Sequence, residues 1–124
     1  MYEFHGLRGV TVEQGLNRIT LIGNLGRSPE MRYTPSGKPV VSFSVVTMHS
    51  WFSSDREYQA ETDWFNVVAW GSLAEGCKQY LKKGQRVYVE GRMKTRRWQG
   101  VDNVTRSWAE VVAHSVIPLA SESS

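Results

Sequence analysis

The segment 84–98, GQRVYVEGRMKTRRW, has the alternation of apolar and polar residues that a half-buried β-strand requires. Successive side chains of a strand point to opposite faces, so Val87, Val89 and Met93 share one face. The opposite face carries the side chains of Arg86, Tyr88, Arg92, Lys94, Arg96 and Trp98. The segment therefore predicts a strand with one face against a core and a cationic outer face that ends in an indole ring.

The outer face of this strand has two interpretations. Cations attract phosphates and an indole ring offers a base a stacking platform, which together suit a flexible single-stranded nucleic acid. The same residues also fit an ordinary solvated strand face. The net charge of the chain is only +3, yet residues 78–106 hold nine of its 15 Lys and Arg and only two of its 12 Asp and Glu. This asymmetry predicts a local positive patch that attracts anions.

Four more alternating segments and one helical segment accompany this strand. Strands are predicted over 17–23, 40–48, 62–71 and 108–117, with the polar stretches 27–39 and 49–61 as loops and 99–103 as a hairpin tip. A helix is predicted over 72–83, with Ser72 as its N-cap and Gly84 just after its end. Its apolar stripe is Leu73, Cys77, Tyr80 and Leu81. In the third strand, Phe65, Val67 and Ala69 are expected inside, and Trp64 and Trp70 on the opposite face.

The order of three strands, one helix and two strands predicts the OB-fold. This is a five-stranded, all-β Greek-key barrel with a helix between strands 3 and 4, and here with a long hairpin of strands 4 and 5. OB-folds bind oligonucleotides or oligosaccharides on strands 2 and 3 and on nearby loops, so Trp51, Trp64, Trp70 and Trp98 are expected on or beside one surface. Residues 16–118 form the predicted barrel domain, residues 1–15 an N-terminal extension that adds an edge strand at 9–13, and residues 119–124 a short polar end.

Enzyme, metal and membrane functions have no support in the sequence. The single cysteine, Cys77, allows neither an intramolecular disulfide nor a thiolate metal site, and it is expected in the core. The three histidines are widely separated, with no carboxylate at metal-ligand spacing. No set of Ser, Cys and His residues indicates nucleophilic catalysis, and no phosphate-cradling loop is present. The sequence has neither an apolar run of about 18 residues nor a secretory signal, so no membrane segment is predicted. Together with the preceding observations, this predicts a protein without a catalytic site, cofactor or metal.

Several segments resemble the single-stranded DNA-binding protein family of bacteria and mitochondria, over roughly residues 16–118. They are NRITLIGNLGRSPEMRYTPSGKPV, ETDWFNVVAWGSLAE, YLKKGQRVYVEGRMKTRRW and WAEVVA, in that order. The resemblance implies an OB-fold that usually assembles as a homotetramer. It also implies sequence-independent binding and protection of single-stranded DNA during replication, recombination and repair. The alternative is an OB-fold protein-interaction module, such as a primosome-type subunit, that uses the same aromatic face on a protein.

The family's functional positions carry over residue by residue. Its base-stacking aromatic positions are matched by Trp51, Trp64, Trp70 and Trp98, with tryptophan at position 70 where the family often has phenylalanine. Its basic positions that contact the DNA backbone are matched by Arg18, Arg32, Lys83, Lys94, Arg96 and Arg97, and the cationic strand face adds Arg92. Asn66 and Ser72 replace two further basic residues, and Phe65 replaces a histidine that is common near the subunit contact. The role of Trp108 stays open between packing and stacking.

The C-terminus departs from the bacterial pattern. Bacterial members usually continue into a linker rich in Gly, Pro and Gln and an acidic tip that recruits replication and repair proteins, whereas this sequence ends in SESS. Either such a tail has been removed, or the chain is a mitochondrial-like or otherwise tailless member. We expect a cytoplasmic, nucleoid-associated protein, with the mitochondrial matrix as the alternative. Residues 1–14 make a poor transit peptide, because Arg8 stands alone against Glu3 and Glu13.

Overall fold

Five long strands and one helix make up the part of the chain described by the computed structural model, residues 15–120. The elements are β1 (Ile19–Tyr33), β2 (Pro39–Phe52), β3 (Tyr58–Trp70), α1 (Gly71–Tyr80), β4 (Arg86–Gln99) and β5 (Thr105–Pro118). The strands close into a barrel in the order β1-β2-β3-β5-β4. The predicted OB-fold is confirmed, with its helix between strands 3 and 4 and its long β4–β5 hairpin. The predicted N-terminal edge strand and residues 121–124 lie outside the described residues.

Closure of the barrel depends on one short parallel contact. Four of the five strand pairs are antiparallel, and the longest of them, β2–β3 and β4–β5, are hairpins. β3 and β5 pair in parallel through only two residue pairs, Val67 with Val111 and Val68 with Val112. We call this contact the β3–β5 seam.

The barrel interior is filled by alternate residues of each strand. Fully buried side chains come from β2, β3, β4 and β5 and comprise Val41, Phe43, Val45, Val67, Ala69, Val87, Val89 and Val111. Phe65 and Met93 are partly buried and pack against this core. The predicted inward faces of the third and fourth strands are therefore confirmed, because period-2 burial identifies the core face of a strand.

The helix contributes Ala74 and Cys77 to the core. Burial raises the pKa of the Cys77 thiol to about 11, so Cys77 is a protonated, small hydrophobic residue, as predicted. The prediction for Tyr80 was wrong, since its side chain lies in solvent, whereas Leu81 is buried as predicted, although it follows the helix. No helix among residues 15–120 is long and apolar enough to cross a membrane.

Both predicted ends of the helix were wrong. Trp70, not Ser72, occupies the N-cap position, and its side chain makes no capping hydrogen bond. Gly71 allows the sharp change from β3 into α1, because its φ of 66° is a left-handed conformation that glycine adopts without a steric penalty. The helix ends at Tyr80, and Gly84 lies in the separate turn that leads into β4.

Strands β1, β2 and β3 are longer than predicted. Residues 49–61, predicted as a loop, continue the β2–β3 hairpin in unbroken register to the pair Phe52–Tyr58. β1 continues to Tyr33 through register shifts between Leu25 and Glu30, where a bulge was expected near Gly26. The polar residues of 49–61 led to the prediction of a loop. A hairpin that extends beyond the barrel is solvated on both faces, so its strands lack the apolar face by which a strand is recognised in a sequence.

Phe43 offers a direct test of this core. Because Phe43 is completely buried, Phe43→Ala removes its contacts and leaves a cavity, so we expect the free energy of unfolding to fall by about 3–5 kcal/mol. Chemical denaturation at a fixed protein concentration measures the change. Val101→Ala at the fully exposed hairpin tip is the control, with an expected change within about 0.5 kcal/mol. Equal stabilities of the two variants would contradict the assignment of Phe43 to the core.

Candidate nucleic-acid interface

The outward side of β1, β2 and β3 forms one continuous surface, which we call the front face. Cross-strand partners in a sheet share a face, so the pairing register identifies its members. Its four rows are Asn24–Val46–Trp64, Arg27–Ser44–Asn66, Glu30–Ser42–Val68 and Arg32–Val40–Trp70. Two tryptophans and two arginines are thus placed on one side of the barrel.

The β4–β5 hairpin extends beyond the barrel as an arm that faces the front face. Trp108 and Glu110 of the arm and Arg27, Arg32 and Asn66 of the front face line a cavity of about 290 Å³ between them. We call this cavity the groove. Its sides come from different ends of the chain, and the arm therefore converts a flat strand surface into a concave one.

Trp64 lies across β1 on the front face, and 62% of its surface is exposed. Gly26 makes this position available, because a Cβ atom there would collide with the indole ring and would come within 2.9 Å of the Ser44 hydroxyl oxygen. The ring therefore rests on a gap in β1 that only a glycine leaves open, with its remaining surface available to a ligand.

A second aromatic group lies on the arm. The rings of Trp98 and Trp108 meet edge to face, with centroids 5.6 Å apart and an interplanar angle of 75°. Both are substantially exposed. Edge-to-face packing fixes the orientation of both indoles, so Trp108 is a surface residue that supports Trp98 and also lines the groove.

Trp70 and Trp51 differ from these three tryptophans. Trp70 is half-buried at the end of β3, and the ammonium of Lys38 lies 5.4 Å from its ring centroid, a cation–π contact. Trp51 lies on β2 and not in the predicted loop, stacked with His49 at 5.3 Å. Because the register pairs Val46 with Trp64, Trp51 is on the reverse face of the hairpin. The prediction that all four tryptophans share one surface was therefore wrong for Trp51.

Among the predicted cations, Arg32 lines the groove and Arg96 borders it. The Nε of Arg96 donates a 2.6 Å hydrogen bond to Glu110, whose side chain is only 5% exposed. Arg92 and Lys94 share the alternation of Arg96 on β4, and Lys94 is the cross-strand partner of Glu110. These four cations are the part of the predicted set that the fold brings towards the groove.

The other three predicted cations lie elsewhere. Arg97 pairs with Ser107 on the reverse face of the arm, and Lys83 lies in the connection between α1 and β4. Arg18 precedes β1 and donates a 2.5 Å hydrogen bond to Glu90. That hydrogen bond and the guanidinium charge together lower the pKa of the Glu90 carboxyl.

Sequence reasoning did not include Arg27, Lys38, Trp108 and Glu110 among the site residues. Arg27 and Lys38 fell in a stretch read as a loop, and only the bulged register of β1 puts Arg27 opposite Ser44. The sequence left the inward face of β5 open, and only the burial of Val111 shows that Trp108 and Glu110, of opposite alternation, point outward. Exposed flat rings beside a concave surface that holds arginines can stack planar groups and attract anions at the same time.

Comparison with known proteins points in the same direction. Residues 16–119 match the Single-strand binding protein family. Single-stranded DNA-binding protein 1 of Chlorobaculum tepidum is 50% identical over 92 residues, 74% of this chain and 56% of that protein. The Single-stranded DNA-binding protein of Neisseria meningitidis serogroup A is 44% identical over 101 residues, 82% of this chain and 58% of that protein. The chain thus spans somewhat more than half the length of these curated relatives.

Two solved structures share the fold. The Plasmodium falciparum SSB in complex with ssDNA superposes with a TM-score of 0.82 at 30% identity, covering 88% of this chain and 99% of that one. A deletion mutant of the single-stranded DNA binding protein from Thermus aquaticus superposes with a TM-score of 0.76 at 31% identity, covering 86% and 51%. Sequence and fold agree, and the chain belongs to the single-strand binding protein family.

Proposed function

We propose that this protein binds single-stranded DNA in the groove and along the front face, without catalysis and largely without sequence preference. The observation that carries the proposal is that exposed Trp108 lines a groove that also holds arginines, with exposed Trp98 packed against it and exposed Trp64 on the adjoining front face. Duplex DNA hides its base faces, whereas a single strand can present them to indole rings. The solved complex of the Plasmodium falciparum relative with ssDNA supports the same ligand.

Stacking and charge have different parts in this proposal. Each base stacked on an aromatic ring contributes about 1–3 kcal/mol, and this contribution persists when salt screens the phosphates. The salt-dependent attraction comes from Arg32, Arg92, Lys94 and Arg96. Each phosphate that they neutralise releases condensed counterions, so each contact makes the affinity fall more steeply as salt rises. We assign Trp64 and Trp98 to base stacking, and Trp70 to stacking after displacement of Lys38.

The predicted DNA-binding residues that lie outside the groove are explained by a longer path of the bound single-stranded DNA over the protein surface. Trp51 and Arg97 lie on the reverse faces of the two hairpins, and Arg18 and Lys83 lie on other parts of the barrel surface. Single-stranded DNA that winds around the protein would contact these residues after it leaves the groove. This path fits a role in protecting single strands during replication, recombination and repair, which we propose together with a cytoplasmic, nucleoid-associated location because the curated relatives are bacterial.

A homotetramer is part of the proposal. Ile22 and Ile117 are each 48% exposed and both are cross-strand partners of Tyr88, so three apolar side chains form one row across β1, β4 and β5. None of these three side chains lines the groove. Burial of such a row against another subunit would remove apolar surface from water while the groove stays accessible.

Titration with oligo(dT) tests the function directly. We expect quenching of tryptophan emission at stoichiometric protein and an affinity that falls as salt rises, because stacking perturbs the indoles and phosphates release counterions. Trp64→Ala should weaken binding by about 1–3 kcal/mol. Tyr80→Ala, which removes an equally exposed aromatic from the helix, is the matched control and should leave affinity unchanged.

Outcomes of this titration separate the alternatives. Unchanged emission without a mobility shift would contradict single-stranded DNA binding, and equal affinity for duplex and single strands would indicate nonspecific attraction by cations. A protein-interaction module would instead bind a protein partner that oligo(dT) fails to displace.

Gly26 gives a second prediction. Gly26→Ala places a methyl group where the Trp64 ring now lies, so the indole must move away from β1. We expect oligo(dT) affinity to fall by up to the full effect of Trp64→Ala, and we expect the double variant to be no weaker than Trp64→Ala alone. Fluorescence anisotropy with labelled oligo(dT) measures the three affinities. Additive losses would show that Gly26 acts independently of Trp64.

The subunit contact gives a third prediction. Tyr88→Lys puts a charge in the middle of the apolar row, which has to be desolvated if the row is buried in an interface. We expect the mass measured by light scattering to drop from that of a tetramer to that of a smaller species. Val101→Lys at the exposed hairpin tip is the control and should keep the original mass. A tetramer that survives Tyr88→Lys would place the interface elsewhere.

A further inference from the structure

The groove contains charges of both signs, which is unusual for a site that only attracts phosphate. Arg27 and Arg32 line it together with Glu30 and Glu110, so the lining residues carry no net formal charge, and Arg92, Lys94 and Arg96 lie around the groove without lining it. A phosphate placed there would gain from the arginines and lose to the carboxylates at similar range. A neutral ligand with hydrogen-bond donors and acceptors fits this mixture better, and in single-stranded DNA that ligand is a nucleobase.

The size and the aromatic wall of the groove agree with a single base. Its volume of about 290 Å³ lies at the lower limit of cavities that hold small molecules, which begin near about 300 Å³. Trp108 forms one wall and touches Trp98 edge to face. A base stacked on Trp108 therefore neighbours a base stacked on Trp98, and both belong to the same short stretch of DNA.

Glu110 is the group in the groove that can distinguish one base from another. Its side chain is 5% exposed, and its Oε1 atom accepts the hydrogen bond from Arg96, which fixes the carboxylate in place. Among residues 15–120, its Oε2 atom accepts no hydrogen bond and remains available to a ligand. A buried carboxylate oxygen gains substantially from a donor, because no water replaces that donor once a base fills the groove.

We propose that, within the single-stranded DNA binding proposed above, the groove holds one base stacked on Trp108 and Glu110 accepts a hydrogen bond from its exocyclic amino group. Cytosine presents an amino donor at N4, whereas thymine and uracil present a carbonyl acceptor at the same position. A carboxylate attracts the first and repels the second. The protein therefore favours amino-bearing bases at one position of each bound stretch, although the rest of the interface is indifferent to sequence.

Oligo(dC) and oligo(dU) of equal length are matched ligands for this proposal, because their pyrimidine rings differ at the C4 substituent and both lack the thymine methyl group. Competition against labelled oligo(dT) at slightly alkaline pH and elevated salt gives both affinities. We expect the wild-type protein to bind oligo(dC) about tenfold more tightly than oligo(dU), the value of one hydrogen bond to a charged group. In Glu110→Gln the ratio should fall to within about twofold, because an amide can donate to the uracil carbonyl as well as accept from cytosine.

Two further variants separate reading of the base from general effects. Glu90→Gln alters a carboxylate that is also bound to an arginine but lies outside the groove, and it should keep the tenfold ratio. Trp108→Ala removes the stacking wall and should reduce both the affinity for oligo(dC) and the ratio. This variant also tests the proposal if Glu110→Gln does not fold.

The outcomes distinguish this proposal from the proposed function. Equal wild-type affinities for oligo(dC) and oligo(dU) would overturn base reading and leave single-stranded DNA binding intact. A tenfold ratio that persists in Glu110→Gln would overturn the role of Glu110. Failure of the wild-type protein to bind any of the three oligonucleotides would overturn the proposed function itself.

Discussion

Burial of alternate residues in the β2–β3 hairpin determines the placement of nearly everything else. Val41, Phe43 and Val45 on one strand and Val67 and Ala69 on the other occupy the barrel interior. Since side chains alternate along each strand, this burial forces Trp64 and Trp70 outward on one side and turns Trp51 to the other. A register slip of one residue would exchange the core residues of these strands for those of the front face. The packing of the hydrophobic core thus also determines which way the tryptophan side chains point.

In the arm, a salt bridge orients side chains as core packing does in the β2–β3 hairpin. Arg96 and Glu110 lie on adjacent strands of the β4–β5 hairpin, and the carboxylate is almost completely buried where the arm meets the front face. A buried carboxylate without a partner is strongly unfavourable, so the pair ties the charge of Glu110 to the position of Arg96. The groove consequently contains oriented polar groups beside an exposed pair of tryptophans, an arrangement suited to a flat ligand with polar edges.

The sequence was sufficient for the fold and for part of the site. Alternation of Val87 and Val89, and of Val67 and Ala69, identified the core faces because burial on one face leaves a period-2 signal. Alternation failed for residues 49–61, where a hairpin solvated on both faces resembles a loop. The prediction of the helix ends failed because Trp70 occupies the N-cap position without a side-chain hydrogen bond and Gly71 turns the backbone into the helix. Arg27 and Lys38 required the bulged register of β1, and Glu110 required knowledge of what the arm contacts. These depend on tertiary contacts that no local pattern records.

The β3–β5 seam has a dynamic consequence. Only two residue pairs hold the barrel closed there, so this is the place where the fewest hydrogen bonds must break for the barrel to open locally. Val67 and Val68 belong both to the seam and to the lining of the groove. A molecule seated in the groove touches strands on both sides of the seam and resists their separation. Ligand binding in the groove and local opening of the barrel at the seam are therefore coupled, so that a bound ligand would stabilise the closed barrel.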